Sequence, residues 1–114
     1  MINSRQKGKR GERYFAKELK DIFPNIRRNA GVQSQGKSLG CDLENTNPFN
    51  FEVKCGKDCQ ITKVRGWLDQ VNREGNPFYH DVVCIKPDRE DAYVVMPFDD
   101  FYSLLEMLKN QRAI

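Results

Sequence analysis

The sequence predicts an α/β domain in which a mixed central sheet of about five strands is flanked by helices. Three segments repeat apolar residues at a spacing of three and four, which is typical of helices packed on a core. Five shorter segments alternate or run apolar, as strands do. Their order is helix, three strands, helix, two strands, helix, which favours helices on both sides of the sheet. One domain over residues 1–114 is expected, with residues 1–10 as a flexible basic arm.

The predicted helices are bounded by residues that begin or end helices. They span about residues 11–23, about residues 62–74, and a last segment that begins at Asp99 or Asp100. Pro24 ends the first helix, and Thr62 and Gly75 are predicted to cap the second.

The predicted strands span about residues 26–30, 39–44, 49–55, 79–85 and 92–96. The polar turn at residues 45–48 separates the second strand from the third, so these two are expected to pair as an antiparallel hairpin. Residues 32–40 are rich in Gly, Ser and Gln and are predicted to form a loop.

The charge of the chain is unevenly distributed. Residues 1–65 hold 14 Lys and Arg against 7 Asp and Glu, whereas residues 66–114 hold 5 against 9. A basic first half suggests a polyanion partner such as DNA, although a solvated cationic surface is the alternative. No apolar run is long enough for a membrane span, and the N-terminal residues lack the apolar core of a signal peptide. We therefore expect a cytoplasmic protein without a membrane partner.

The four cysteines are interpreted as reduced residues that mostly pack in the core. Cys41, Cys55 and Cys84 fall at apolar-facing strand positions, and only Cys55 and Cys59 are close in sequence. A structural zinc site is the alternative that this spacing favours less.

Three charged residues of the hairpin are predicted to share one face of the sheet. Glu52 and Lys54 lie two residues apart on a strand, so their side chains point to the same side. If Glu44 pairs with Asn50, then Asp42 lies directly opposite Glu52. The same register places the neighbouring apolar residues on the core side, which supports it.

Two opposed carboxylates repel each other, and a divalent cation removes that repulsion. Carboxylate oxygens at this separation suit Mg²⁺, with Mn²⁺ as a substitute. A bound metal ion would lower the pKa of a coordinated water, which Lys54 could orient or deprotonate. The alternative is that Lys54 only neutralises a solvated acidic face.

Glu12 extends the apolar stripe of the first predicted helix toward its N-terminus. That stripe consists of Phe15, Leu19, Ile22 and Phe23. A carboxylate on the inward edge of a helix is costly unless it has a partner. From the helix alone, a first-turn Glu favoured by the helix dipole is the alternative interpretation.

These residues resemble a known signature. Asp42, followed ten positions later by Glu52-Val53-Lys54, is similar to the "D…E-x-K" motif of the PD-(D/E)xK nuclease superfamily, which has a restriction-endonuclease-like fold. The run from Lys7 to Arg13, KGKRGER, which opens an amphipathic helix, resembles the start of archaeal-type Holliday junction resolvases. A basic, Gly/Ser-rich loop before the Asp also fits. Cys41 stands where the motif has Pro, which is not a ligand.

The resemblance implies a role for each matched position. Asp42, Glu52 and the Val53 carbonyl would hold the metal, and Glu12, at the place of the family's first-helix Glu, would complete the site directly or through water. Lys54 would assist the attacking water, and Gln70 would match a Gln on the following helix. We expect phosphate contacts from the basic residues Lys9, Arg10, Arg13, Arg27, Arg28 and Lys37.

The predicted function is a Mg²⁺-dependent, structure-selective DNA endonuclease that resolves four-way junctions as a homodimer and leaves 5′-phosphate nicks. No small-molecule cofactor is expected. Phe78, Tyr79, Phe98 and Tyr102 are candidates for the dimer surface. The alternatives are another PD-(D/E)xK nuclease, such as a nickase or a single-strand or sequence-specific enzyme, and a non-catalytic DNA-binding module.

Overall fold

A computed structural model describes residues 4–29, 41–56, 59 and 61–114 of the chain. The helices and strands are α1 (Ser4–Glu18), β1 (Arg27–Arg28), β2 (Leu43–Glu44), β3 (Phe49–Cys55), α2 (Val64–Glu74), β4 (His80–Lys86), β5 (Tyr93–Val95) and α3 (Phe98–Asn110). A 3₁₀ turn, Ile61–Lys63, leads into α2. This is a small α/β fold with the predicted order of elements.

The strands form two sheets, so the prediction of a single five-stranded sheet is wrong. β3 and β4 are parallel, with Phe49 opposite His80 and Cys55 opposite Lys86, and β5 lies antiparallel on the other edge of β4. β1 and β2 form a separate antiparallel pair of two residues each. The predicted hairpin ladder between β2 and β3 does not form.

The reason lies in the turn that joins β2 to β3. Asn45 adopts a left-handed conformation with φ 64°. Thr46 then closes the turn on Phe49, whose N–H donates to the Thr46 carbonyl at 2.7 Å and whose carbonyl accepts from the Thr46 hydroxyl at 2.8 Å. These bonds use backbone groups of Phe49 that a hairpin ladder would need, so no ladder forms next to the turn, although the Asp42 N–H still donates to the Phe51 carbonyl.

The sheet is buried on both faces, not on one. One cluster packs against α1 and consists of Phe15, Ile26, Leu43, Phe51, Val53, Val82 and Cys84. The second packs against α2 and consists of Cys41, Val71, Val83 and Ile85. A parallel pair needs a crossover helix, and this helix covers the face of β3 that carries Glu52 and Lys54, in agreement with the prediction of helices on both sides of the sheet. Glu52 is therefore buried, at 3% exposure.

Several predicted helix boundaries are corrected. α1 begins at Ser4, so residues 4–10 of the predicted flexible arm are helical. It ends at Glu18 because i→i+3 bonds turn the chain there, which leaves Ile22 70% exposed and outside the apolar stripe. At α2 the N-cap position is Lys63 and not Thr62, whereas Gly75 is the C-cap as predicted. Asp99 and Asp100 lie in the first turn of α3, after Pro97 at its N-cap position.

Two glycines permit close approaches between elements. A Cβ on Gly11 would lie 2.9 Å from the Cys55 Sγ and 3.2 Å from the Val53 Cγ1, so Gly11 lets α1 approach β3. A Cβ on Gly75 would lie 2.4 Å from the Cγ of the buried Asn50. Asn50 cannot move away, because its side chain bonds both to Asp81 and to the backbone of Asn76.

Among the described residues, no helix is both long enough and apolar enough to cross a membrane.

We predict opposite effects for two Gly-to-Ala changes in and after α2. Gly75→Ala forces a contact with Asn50 and should lower the melting temperature by several degrees. Gly66→Ala adds a methyl group that meets nothing within 4 Å. It should raise stability by about 0.5–1 kcal/mol through helix propensity. Thermal unfolding of both variants measures the difference, and a stable Gly75→Ala protein would contradict the packing at Asn50.

Candidate active site

Backbone hydrogen bonds hold Asp42 between the residue that follows β1 and the middle of β3. The Asn29 N–H donates to the Asp42 carbonyl at 2.8 Å, and the Asp42 N–H donates to the Phe51 carbonyl at 3.2 Å. The Asp42 Oδ2 accepts from the Val53 N–H at 2.9 Å. Asp42 therefore faces Phe51, so the predicted direct opposition to Glu52 is wrong by one residue.

The two carboxyl groups nevertheless meet. The Asp42 side chain folds along the edge of β3, which brings its carboxylate to hydrogen-bonding distance of the Glu52 carboxyl. Burial and, after it, the negative charge of Asp42 raise the pKa of Glu52 to about 9, although Lys54 lowers it. At neutral pH and without a cation, the pair therefore carries a proton on Glu52.

The Glu52 Oε2 atom is buried and has no hydrogen-bond partner among the described residues. The oxygen atoms of Asp42 are acceptors too, so a bond between the two groups forms only when one is protonated. A buried acceptor without a donor is costly. This atom is the strongest local sign that the site is shaped for a group that the chain itself does not supply.

Lys54 is held beside Glu52 by α2. Its Nζ lies 3.5 Å from the Glu52 Oε1, and donates to the Gln70 Oε1 at 3.3 Å. The ammonium group also lies 5.9 Å from the centre of the Trp67 ring. Gln70 in turn donates to the Glu74 carboxylate at 3.4 Å. The structure thus brings Gln70 to Lys54, as a residue that orients the amine and not one that contacts Glu52.

Glu12 lies on the buried face of α1, at 5% exposure, and its Oε1 accepts from the Arg28 Nε at 2.9 Å. Burial raises the pKa of Glu12, the bond to Arg28 lowers it, and the charge of Asp42 raises it. Glu12 is therefore within electrostatic reach of Asp42. Arg28, which is predicted as a phosphate contact, forms an ion pair with Glu12.

The residues present fit a hard divalent cation. Asp42 and Glu52 supply two carboxylates with one unpartnered buried oxygen, the donor set that Mg²⁺ and Mn²⁺ prefer. Alternate residues of a strand direct their backbone groups to the same edge, so the Val53 carbonyl points to the edge where Phe51 meets Asp42. The described residues hold no group of three His, Cys, Asp or Glu side chains arranged around one point.

The other basic residues that are predicted to contact DNA differ in their exposure and in their ion pairs. Lys9 is half-buried and Arg13 is exposed on α1. Arg10 forms an ion pair with Asp88 at 3.7 Å, and Arg27 pairs with Glu44. Lys37 lies outside the described residues.

A cleft of about 440 Å³ adjoins Arg10 and was not predicted from the sequence. Tyr14, Lys86 and Arg89 also line it, at the end of β3 and β4 beyond Lys54. Lys86 and Arg89 are not among the predicted DNA contacts, because they belong to the acidic half of the chain. The parallel pairing of β3 with β4 brings them beside α1.

A buried polar network next to the site was also missed. Asn50 donates to the Asp81 Oδ1 at 2.9 Å, and Asn72 donates to the Oδ2 of the same carboxylate at 3.0 Å. The network fixes α2 on the sheet and so positions Gln70 for Lys54. The sequence indicates this network only if β3 and β4 are known to be parallel, because that register places Asn50 directly beside Asp81.

The raised pKa of Glu52 predicts how metal-free stability depends on pH. The folded state retains a proton that the unfolded chain loses near pH 4.5, so stability should fall as pH rises from about 4.5 to about 9. The slope is at most about 1.4 kcal/mol per pH unit. Glu52→Gln should make this slope shallower and leave the contribution of Glu12, whose pKa is also raised, whereas Glu106→Gln, an exposed control on α3, should keep the full slope. Denaturant unfolding in EDTA at several pH values measures both, and a slope as steep in Glu52→Gln as in the parent would contradict the assignment.

Comparison with known proteins gives one match. A family model described as "Phage putative PDDEXK endonuclease" matches residues 3–114, and it does not single out archaeal-type Holliday junction resolvases. No curated protein and no solved structure matches. The match spans nearly the whole chain, including α1, the Asp42 segment and β3. The chain therefore belongs to the phage PDDEXK endonuclease family that this model describes.

Proposed function

We propose that this protein is a divalent-metal-dependent DNA endonuclease whose metal site is formed by Asp42, Glu52 and the Val53 carbonyl. The observation that carries the proposal is the buried Glu52 Oε2, which lies without a hydrogen-bond donor beside a second carboxylate. Membership of a PDDEXK family supports nuclease action on DNA. Mg²⁺ is the proposed ion, and Mn²⁺ should substitute for it.

A cation between Asp42 and Glu52 would supply a water of lowered pKa and a positive charge for the scissile phosphate. Lys54 is the residue of the chain best placed to orient that water or to accept its proton, because its Nζ lies 3.5 Å from Glu52. Gln70 restrains the amine from the other side. Glu52 is buried beneath α2, whereas Asp42 and Lys54 remain partly exposed.

Glu12 is proposed to complete the site through water and not by direct contact. Its carboxylate is neutralised by Arg28 but still responds to the charge of Asp42. Arg28 would then set the orientation of Glu12, as outer-sphere partners do at metal sites.

The substrate is proposed to be branched DNA, with the four-way junction as the first candidate. The run KGKRGER in α1 and the basic first half of the chain support this choice. Two nicks on opposed strands need two active sites, so the junction hypothesis requires a homodimer. A nickase or a single-strand nuclease remains the alternative enzyme. A DNA-binding module has no use for a buried, unpartnered carboxyl beside Lys54.

The metal site is tested with two isosteric changes. Asp42→Asn and Glu52→Gln should each lower cleavage more than the roughly 10–100-fold typical of outer-sphere changes. Binding to DNA should be kept or tightened, because each change removes negative charge near phosphates. The assay uses supercoiled plasmid, linear duplex, single strand and a four-way junction, with Mg²⁺ and with EDTA. Glu106→Gln on α3 is the control, and cleavage in EDTA or by either site variant would reject the proposal.

Glu12→Gln separates a functional role from a structural one. A role through water predicts a loss of activity of about 10–100-fold with little change in melting temperature. A purely structural ion pair with Arg28 predicts the reverse, because a buried guanidinium loses its partner. Activity and melting temperature measured on the same preparation distinguish the two.

A further inference from the structure

Helix α3 stands apart from the rest of the chain. None of its residues is buried, although most of them are apolar. The large side chains of Phe98, Phe101, Tyr102, Met107 and Leu108 are between 41% and 72% exposed. The apolar residues of the edge strand β5 that precede the helix, Tyr93 and Val94, are also more than half exposed.

The helix is tied to the body at its first turn. The Asp100 Oδ1 lies 3.1 Å from the His80 Nδ1, and its Oδ2 accepts from the Asp81 N–H at 3.4 Å. Beyond this turn the helix continues for about 15 Å. An isolated helix of this length is marginal in water, and its stability normally comes from packing an apolar face. The stripe of Phe101, Leu104, Leu105 and Leu108 provides such a face.

We propose that this stripe packs against the same stripe of a second copy of the chain, with the two helices antiparallel. The charges of α3 fit this arrangement. Asp99 lies at its start beside Asp100, which already contacts His80, whereas Lys109 lies in its last turn, after Glu106, and Arg112 lies just beyond. An antiparallel pair places the acidic end of each helix beside the basic end of the other, and it also opposes the helix dipoles favourably. A parallel pair would place like ends together.

The size of the stripe sets the strength of the contact. A helix of 13 residues is about 20 Å long and cannot alone supply the roughly 800 Å² per partner of a standard interface. The dimer is therefore expected to dissociate in the micromolar range. This inference deepens the homodimer of the proposed function by naming its surface, but the assembly can be measured without DNA.

Light scattering over a concentration series tests the contact. The parent protein should approach twice 13.3 kDa at high micromolar concentration. Leu108→Glu should be monomeric at every concentration, because it places two carboxylates in the stripe of the pair. Ile22→Glu, at an equally apolar and more exposed position outside α3, should still form dimers. A parent that stays monomeric, or a Leu108→Glu variant that still forms dimers, would overturn the proposal.

Cysteine crosslinking tests the direction and does not depend on the folding of a charged variant. In an antiparallel pair centred on the middle of the helix, Leu104 faces its own copy, whereas the two Phe98 residues lie about 18 Å apart along the axis. Leu104→Cys should form covalent dimers under oxidation, and Phe98→Cys should crosslink no more than the parent with its four cysteines. Efficient crosslinking through Phe98→Cys would overturn the antiparallel arrangement.

Nicking of plasmid separates this inference from the proposed function. A monomeric Leu108→Glu variant should still nick plasmid in Mg²⁺, because its metal site is unchanged, and should lose the paired cuts of a junction. Dimers without nuclease activity would support the interface and reject the nuclease. Nicking of plasmid by a parent protein that stays monomeric would support the nuclease and reject the interface.

Discussion

The central constraint of this structure is the contact between two carboxyl groups, the half-buried Asp42 and the buried Glu52, whose Oε2 atom has no hydrogen-bond partner among the described residues. Glu52 lies in the middle of a strand covered by a helix on each face, and its nearest polar neighbour on one side is another acid, Asp42. Lys54 offsets only part of the charge, since the pKa of Glu52 remains raised. Without a cation, one of the two carboxyl groups must hold a proton, and burying the pair costs stability. A hard divalent ion would offset that cost, so the pair is a candidate site for such an ion.

The surrounding elements keep this arrangement rigid. Gly11 allows α1 to approach β3 closely enough to bring Glu12 and Arg28 near Asp42, and β1 fixes the segment that carries Asp42. On the other face, the network of Asn50, Asp81 and Asn72 locks α2 onto the sheet, and Gln70 on that helix restrains Lys54. The site is therefore held on regular elements, which are more precise than loops.

Much of the architecture and the residues of the site could be predicted from the sequence, because both depend on local patterns. The spacing of Glu52 and Lys54 on a strand and the inward position of Glu12 on a helix were sufficient to place them. Strand pairing could not be predicted in the same way. The turn at Thr46 uses the groups of the expected hairpin, and β3 pairs instead with β4, which is distant in sequence. The contact of Asp81 with Asn50 follows from that pairing and left no local signal.

The most direct test of the account is a calorimetric titration of the protein with Mg²⁺ and with Mn²⁺, in the absence of DNA. The account predicts saturable binding of a cation to the parent protein, weakened by more than about tenfold in Asp42→Asn and in Glu52→Gln, and unchanged in Glu106→Gln. Equal binding by the parent and the two site variants would show that the ion does not lie between Asp42 and Glu52, and would contradict the account.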